Sequence, residues 1–561
     1  MYFYWSRDVL VQICTIVLAP ALIGAVEVGQ FPLIDSPELA VSQACQTLAS
    51  RFPKLVSFPG DRSYQSQQDL YWAANQADLT PTCRFAPTSS DEVSQFIIHL
   101  IDFDERIHFS IVSGGHATAF GASNLNGGIT LDLSSLGSVT LADDRSYVEI
   151  GTGARWADVY ELLDPLGLSI AGGRAGSVGV GGYLLGGGIS LFSSLLGWGA
   201  DSLEALEVRT PFGASLSADV ADTHLALNVQ VVLPNGTTVT TSYSKHPDLF
   251  ICLKGGANNF GVATSFRMKT FPIPNGLVDV TFLGYAHEQL PNLLAALANF
   301  TKYADTDPAS ASAELSIGFD ASNPGQGMVH VLMLASVSSG SSAESEARED
   351  AESLPALWKP FLDITVLHTS RWRAPMGYLA QKIEADNPYG YRVYKNTLTI
   401  HNNAVLLREI TDVFITAVQR ASKIPNDSET RDSAFQVGML IQPLPLPHLH
   451  HARDKGQRNL MGLEDEDAPL ILLAFEIHYL SANHDEKLIS LLDEILRKAE
   501  TRASLRGALH PFMYINYAAK GQDVWATLRE KGLLNEVKAV QRRYDPTGVW
   551  KRRLRGGFKI E

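Results

Sequence analysis

Six residues, Ser113-Gly114-Gly115-His116-Ala117-Thr118, constrain this chain more than any other stretch. They follow an apolar run, Ile107 to Val112, that reads as a buried strand. A serine and two glycines after a strand leave backbone N–H groups free, as a phosphate-cradling turn requires. A histidine sits inside that turn. Further on, Gly172-Gly173-Arg174 leads into Gly179-Val180-Gly181-Gly182 and Gly186-Gly187-Gly188. That density of glycine argues against a regular helix or strand. It predicts a backbone-determined loop, most useful where something large lies against the main chain.

The surroundings of these two loops alternate helix and strand signals. Ser90 or Asp91 caps a helix with Val93, Phe96, Ile97, Leu100 and Ile101 on one face. Gly128 to Leu133 and Tyr147 to Gly151 alternate with the period of a strand. Trp156 to Leu163 reads as an amphipathic helix stopped at Gly167. Beyond Phe271-Pro272-Ile273-Pro274 the glycines thin out. Leu293 to Phe300, Val405 to Ala421 and Lys487 to Ala499 then read as helices, and Met328 to Leu334 and Leu470 to Tyr479 as strands. This mixture predicts an α+β second domain. Pro443 to Asp467, rich in proline, histidine and charge, reads as a loop. A helix follows at Leu534 to Tyr544.

The expected division is an N-terminal segment at 26–78, a ligand-binding domain at 79–272, a second domain at 273–500 and a C-terminal segment at 501–561. A chain of 561 residues supports two or more such units. Residues 205–225 have no clear period and read as a surface insertion or as a retained intron.

A formal charge of −15 argues against a nucleic-acid partner and for a small-molecule one. Arg7 precedes an apolar run from Val9 to Ile23, with small residues at Gly24 and Ala25. The pattern predicts a signal peptide over residues 1–25 and secretion. No other stretch is long and apolar enough to span a membrane. Cys45 and Cys83 are placed either to form a disulfide or to stay unpaired, and Cys252 reads as a buried thiol. Sequons at Asn235, Asn299 and Asn426 are glycosylation candidates on a secretory route.

A dinucleotide turn of the Rossmann type should follow a strand that opens a βαβ unit, with an acidic residue on the next strand. Gly182 to Gly188 meets neither condition well. Taken in order, Ser113-Gly114-Gly115-His116, Gly151-Thr152-Gly153-Ala154, Gly172-Gly173-Arg174 with Gly179 to Gly188, Leu253-Lys254-Gly255-Gly256 with Asn259-Phe260-Gly261, and Tyr514-Ile515-Asn516-Tyr517 form a pattern. It resembles the FAD-linked oxidases with a PCMH-type, vanillyl-alcohol-oxidase-like flavin domain, in their fungal berberine-bridge-enzyme-like form.

The resemblance implies a two-domain α+β fold in which a sheet of the second domain covers a bound FAD and the C-terminal segment returns to the flavin domain. Ser113, Gly114, Gly115, His116, Ala117 and Thr118 would cradle the pyrophosphate, and His116 would bond to the flavin 8α carbon. Some members carry a second link from a cysteine. Ala175 stands at that position here, which implies a single covalent link. Gly179, Val180, Gly181, Gly182, Gly186, Gly187 and Gly188 would let the backbone approach the flavin. Phe260, Gly261 and Val262 would lie beside the adenine or the ring system, and Asn516 on a C-terminal strand reaching the isoalloxazine. Tyr514 and Tyr517 are candidates for the base, with packing inside a strand as the alternative. His448, His450 and His451 lack companion ligands and are read as loop residues, with no metal site.

The implied reaction is hydride transfer from a small organic donor (an alcohol, a sugar or a secondary metabolite) to FAD, with O2 as acceptor and H2O2 as product. The alternatives are a flavin dehydrogenase, an oxidative cyclase of fungal secondary metabolism, or a non-catalytic flavin-binding protein. Neither the substrate nor the oligomeric state is legible in the sequence.

Overall fold

Cys83 to Phe85, Phe109 to Val112 and Ile129 to Asp132 are buried along almost their whole length, as strands covered on both faces are, and their polar members Arg84 and Asp132 pair with each other. In the computed structural model they form one sheet. The structure describes residues 36–103, 105–203, 229–323, 327–337, 354–385, 387–422 and 435–561. Residues 1–25, expected to form a signal peptide, residues 205–225 and Asn426 lie outside the described residues.

The strands β1 (Val56–Ser57), β2 (Cys83–Phe85), β3 (Phe109–Val112) and β4 (Ile129–Asp132) run in the order β1-β2-β4-β3. The helix Ser90–Phe103 covers this sheet with Val93, Phe96, Ile97 and Leu100. A disulfide joins Cys45, on the helix Pro37–Arg51, to Cys83 on β2. Cys252 is a buried free thiol.

The chain continues through β5 (Val139–Leu141), β6 (Tyr147–Gly151), the short β7 (Leu168–Ser169), β8 (Val229–Val232), β9 (Thr238–Thr241), β10 (Val262–Lys269) and β11 (Phe271–Pro272). A second sheet has the order β5-β6-β10-β8-β9, while β7 pairs with β11. Ser113 to Thr118 follows β3 directly, so a buried strand end fixes where the first glycine loop begins.

The third sheet is antiparallel and eight-stranded. Its strands are β12 (Val278–Tyr285), β13 (Ser312–Asp320), β14 (Met328–Ser336), β15 (Val366–Ala374), β16 (Arg392–His401), β17 (Phe435–Leu444), β18 (Leu470–Tyr479) and β19 (Leu509–His510), in the order β15-β12-β14-β13-β17-β18-β16-β19. Side chains alternate between faces along each strand. Leu315, Ile317, Val437, Met439, Leu473 and Phe475 point to one face, where the helices Leu290–Tyr303, Ala404–Ser422 and Asp485–Leu505 bury them. The opposite face carries Glu314, Gln442, Lys395, Glu476 and His478 toward the glycine loops. Pro37–Glu561 form one compact unit.

Three local expectations are corrected. The glycine-dense stretch contains a short helix, Val180–Leu185, because Val180 and Leu184 reach the core and draw the backbone into a turn. Pro443 to Asp467 is not simply a loop. Pro443 closes β17, and Leu446–Asp454 is a helix with proline in its first turn, where the missing N–H costs no bond. Its His448 and Leu449 are buried against Trp198 and its neighbours. Finally, Ile515 to Tyr517 is a turn and not a strand, closed by Tyr517 N donating to Tyr514 O at 2.9 Å.

Candidate active site

The two glycine loops touch through their main chains. A Cβ on Gly114 would lie 2.4 Å from the backbone of Gly179, and one on Gly179 would lie 2.4 Å from Gly114 N. Ser113 Oγ donates to Thr152 O at 2.7 Å, and a Cβ on Gly181 would strike Thr152 Oγ1 at 2.3 Å. Val180 N donates to Ala154 O at 2.9 Å. Gly182 alone in this group faces outward. It is exposed, and a Cβ there meets nothing within 4 Å among the described residues. The result is a cradle whose wall is bare backbone, and it suits a large ligand carrying phosphates.

Gly115 takes a φ of +72°, and its carbonyl accepts from Trp72 N at 3.1 Å. That bond lays the Trp72 ring flat on His116, with centroids 5.1 Å apart and planes 9° from parallel. His116 Nε2 shares a 2.8 Å hydrogen bond with Ser177 Oγ. Ser177 N in turn donates to Glu384 Oε2 at 2.9 Å. Burial, then the nearby Arg155 and Lys395 cations, push His116 down to about 3, so its ring is neutral. Ala117 is half-buried, and Thr118 O accepts from Asn75 Nδ2 at 2.9 Å, anchoring the loop's far end.

The third glycine run is packed by protein. A Cβ on Gly186 would collide with Asn516 Oδ1 at 2.1 Å. Gly187 and Gly188 have φ of +100° and +84°, and their carbonyls accept from Ala200 N and Gly199 N. Asn516 Nδ2 donates to Tyr183 O at 3.3 Å and to the Tyr514 hydroxyl at 3.1 Å. Phe260 is buried in the core, Gly261 backs onto Val231 and Val232, and Val262 opens β10.

The two tyrosines differ. Tyr514 is 2% exposed, and burial pushes its phenol well up. Tyr517 packs edge-on against Tyr514 with centroids 4.9 Å apart, and its hydroxyl lies among charged groups. Arg174 Nη2 donates to Tyr517 Oη at 2.6 Å, while Arg174 Nη1 is ion-paired with Glu314 and Nη2 reaches Gln442 Oε1 at 3.4 Å. Lys395 Nζ stands 4.8 Å from the centre of the Tyr517 ring and 2.6 Å from Glu476 Oε2. Burial works against the charge on Glu476, but Lys395 and then His478 outweigh it and hold the carboxyl well below its usual range. Burial likewise opposes the charge on Lys395, and Glu476 reverses that and raises it.

Of the residues expected at the site, the structure brings Ser113 to Thr118, Gly179 to Gly182, Asn516 and Tyr517 around one region, and leaves Phe260 and Val262 in the core. Trp72, Arg174, Ser177, Glu314, Lys395 and Glu476 had no role assigned from sequence. One signal was available: β18 reads Leu-Ile-Leu-Leu-Ala-Phe-Glu-Ile-His-Tyr, with a lone carboxylate directly after six apolar residues. Among the described residues no cluster of three or more metal-binding side chains forms, and no helix is long and apolar enough to cross a membrane.

A protein-family model described as an FAD binding domain matches residues 81–219. The FAD-dependent monooxygenase tpcD of Cochliobolus heterostrophus is 31% identical over 518 residues, covering 90% of this chain and 89% of the relative. The FAD-dependent monooxygenase sdcF of Emericella nidulans is 28% identical over 92% of this chain and 98% of its own. In fold, the chain is similar to 6-hydroxy-D-nicotine oxidase from Arthrobacter nicotinovorans, with a TM-score of 0.66 at 17% identity over 89% of this chain and 96% of that one. A chitooligosaccharide oxidase superposes with the same TM-score of 0.66 at 19% identity, over 92% of this chain and 100% of its own. A glycine cradle holding a histidine, a covering antiparallel sheet and full-length fungal relatives of one kind lead to one assignment: the chain belongs to the FAD-dependent oxidoreductases, and its fold is that of the PCMH-type, berberine-bridge-enzyme-like oxidases.

Proposed function

We propose that this oxidoreductase holds FAD through a single covalent link from His116 and oxidises a small organic donor, with Tyr517 as the base. Bound at the cradle, FAD would accept a hydride from a substrate C–H bond and return the electrons to O2 as H2O2. The observation that carries the reading is the Arg174–Tyr517 hydrogen bond at 2.6 Å, with Lys395 beside the same ring.

His116 is neutral and therefore nucleophilic, and Nε2 is engaged by Ser177. Nδ1 is left to carry the link. Ala175 offers no second nucleophile. Trp72 stacked on the imidazole fixes its plane. Tyr517 Oη would be the atom that receives the proton of a substrate hydroxyl, with the Arg174 and Lys395 cations beside it to hold the negative charge. Glu314 and Glu476 keep these two cations in place. Tyr514 is assigned to positioning, since its hydroxyl accepts from Asn516 and supports the turn that presents Tyr517.

Acid precipitation tests the link: the yellow chromophore should stay with the denatured protein, and its release into the supernatant overturns the covalent reading. A peroxide assay during turnover tests the acceptor. The relatives named monooxygenases favour a second reading, in which one oxygen atom enters the product. Turnover under ¹⁸O2 separates the two, because label appears in the product only for a monooxygenase. Secretion is also part of the proposal, and the Cys45–Cys83 disulfide supports it, since such bonds persist in oxidising compartments. Recovery of the protein from culture medium, cleaved near Ala25, would check it.

A further inference from the structure

Two glycines in the covering sheet stand directly opposite each other, Gly318 on β13 and Gly438 on β17. Gly438 also faces Glu476 on β18, which in turn faces Lys395 on β16. Gly318 shares a face with Glu314, and Gly438 with Gln442, because residues four apart on a strand lie on the same side. Both of those partners reach Arg174, so the glycines look toward the flavin loops and not toward the helices.

Neither glycine is required by the fold. Their backbones are ordinary extended strand without positive φ. A Cβ on Gly318 would meet nothing within 4 Å among the described residues, and one on Gly438 would meet only the Glu476 side chain, at 3.5 Å, an ordinary contact. Glycine inside a strand lowers stability, and its use there marks a close approach of a ligand or another backbone. Among the described residues no other backbone fills that role at these positions.

We infer that Gly318 and Gly438 are specificity-determining residues, forming the flat floor of the substrate subsite, and that the occupant is a planar conjugated ring bearing an acidic hydroxyl. The inference rests on the redox reading above and names its substrate class. Adjacent strands lie about 4.8 Å apart, so two facing glycines expose a strip of peptide planes of ring width. In the next row of that face the half-buried Leu440 stands between Ser316 and the buried Ala474, and it adds apolar surface at the strip's edge. A flat ring buries only carbon against the strip and directs its hydroxyl to Tyr517 and its cations.

The test uses the flavin-loaded protein with 2-naphthol as the planar probe and cellobiose as the polyol probe, read by perturbation of the flavin absorbance and by tryptophan fluorescence. The unmodified protein should respond saturably to 2-naphthol and not to cellobiose. Gly318→Val and Gly438→Val should each raise the Kd for 2-naphthol by about tenfold or more, since added methyl groups in a binding pocket act on that scale. Valine suits a strand, so both variants should keep their melting temperature. Gly318→Ala gives a smaller, graded effect if either valine variant fails to fold. No response to 2-naphthol, comparable affinity for cellobiose, or an unchanged Kd in both valine variants overturns the inference. Photoreduction followed by air reoxidation reads the redox function separately, so a protein that cycles its flavin but ignores 2-naphthol refutes the floor alone.

Discussion

Arg174, on a loop of the flavin-binding part, donates to the hydroxyl of Tyr517, on the C-terminal turn, at 2.6 Å. The same guanidinium pairs with Glu314 on the covering sheet. One side chain thus ties together three segments far apart in the chain. Tyr517→Phe should lower kcat by about 10²–10⁴-fold, the usual contribution of a positioned base. Flavin content and melting temperature should be unchanged. Loss of flavin together with activity would point to a structural role instead.

His116→Ala should release the flavin on acid precipitation while the folded protein still binds it reversibly through the glycine cradle. Ser177→Ala removes the 2.8 Å contact to Nε2 without removing the nucleophile. It should slow formation of the link, seen as a larger released fraction in freshly expressed protein. Equal retention of flavin in both variants would contradict the assignment.

Lys254 and Asp201 form an ion pair at 3.4 Å with both side chains fully buried. Asp201 also accepts from Asn459 Nδ2 at 2.9 Å and from Trp198 N at 3.1 Å. Lys254→Met leaves a buried carboxylate short of its cation and should cost about 3–5 kcal/mol. The double variant Lys254→Met, Asp201→Asn should recover a large part of that loss. Denaturant titration of the three proteins supplies the comparison.

Glu466 is held down to about 2 by its hydrogen bond to His510 against a smaller opposing effect of burial, with Lys531 adding to the pull. Its carboxyl is thus a stronger acid folded than unfolded. The stability it contributes is complete above about pH 4.5 and is lost as pH falls toward 2. Melting temperature measured from pH 5 to pH 2 should fall less steeply for Glu466→Gln than for the unmodified protein.

Reduction of the Cys45–Cys83 disulfide, which spans 38 residues, should lower stability by about 2–4 kcal/mol by freeing the unfolded chain. Cys45→Ser should reproduce the effect without reductant.

How much of this was legible beforehand differs by residue. Periodicity placed the helices Leu290–Tyr303, Ala404–Ser422 and Asp485–Leu505 and the strands β14 and β18, because their apolar faces repeat with the spacing that burial demands. It failed at Leu446–Asp454, where prolines and histidines mask a helix held by contacts with Trp198. Lys395, Glu314 and Glu476 gave little sign of a role, since a charged residue inside a strand pattern has no partner until sheet order assigns one.

The glycine–histidine loop after β3 and the order of the motifs that follow determined the fold, the family and the cofactor class, because bare backbone and a nucleophile are properties of residue type. Which phenol meets a guanidinium, which carboxylate meets an ammonium and where two strand glycines face each other were decided by the tertiary structure. Those relations depend on register and on the packing of segments hundreds of residues apart, and no local pattern carries them.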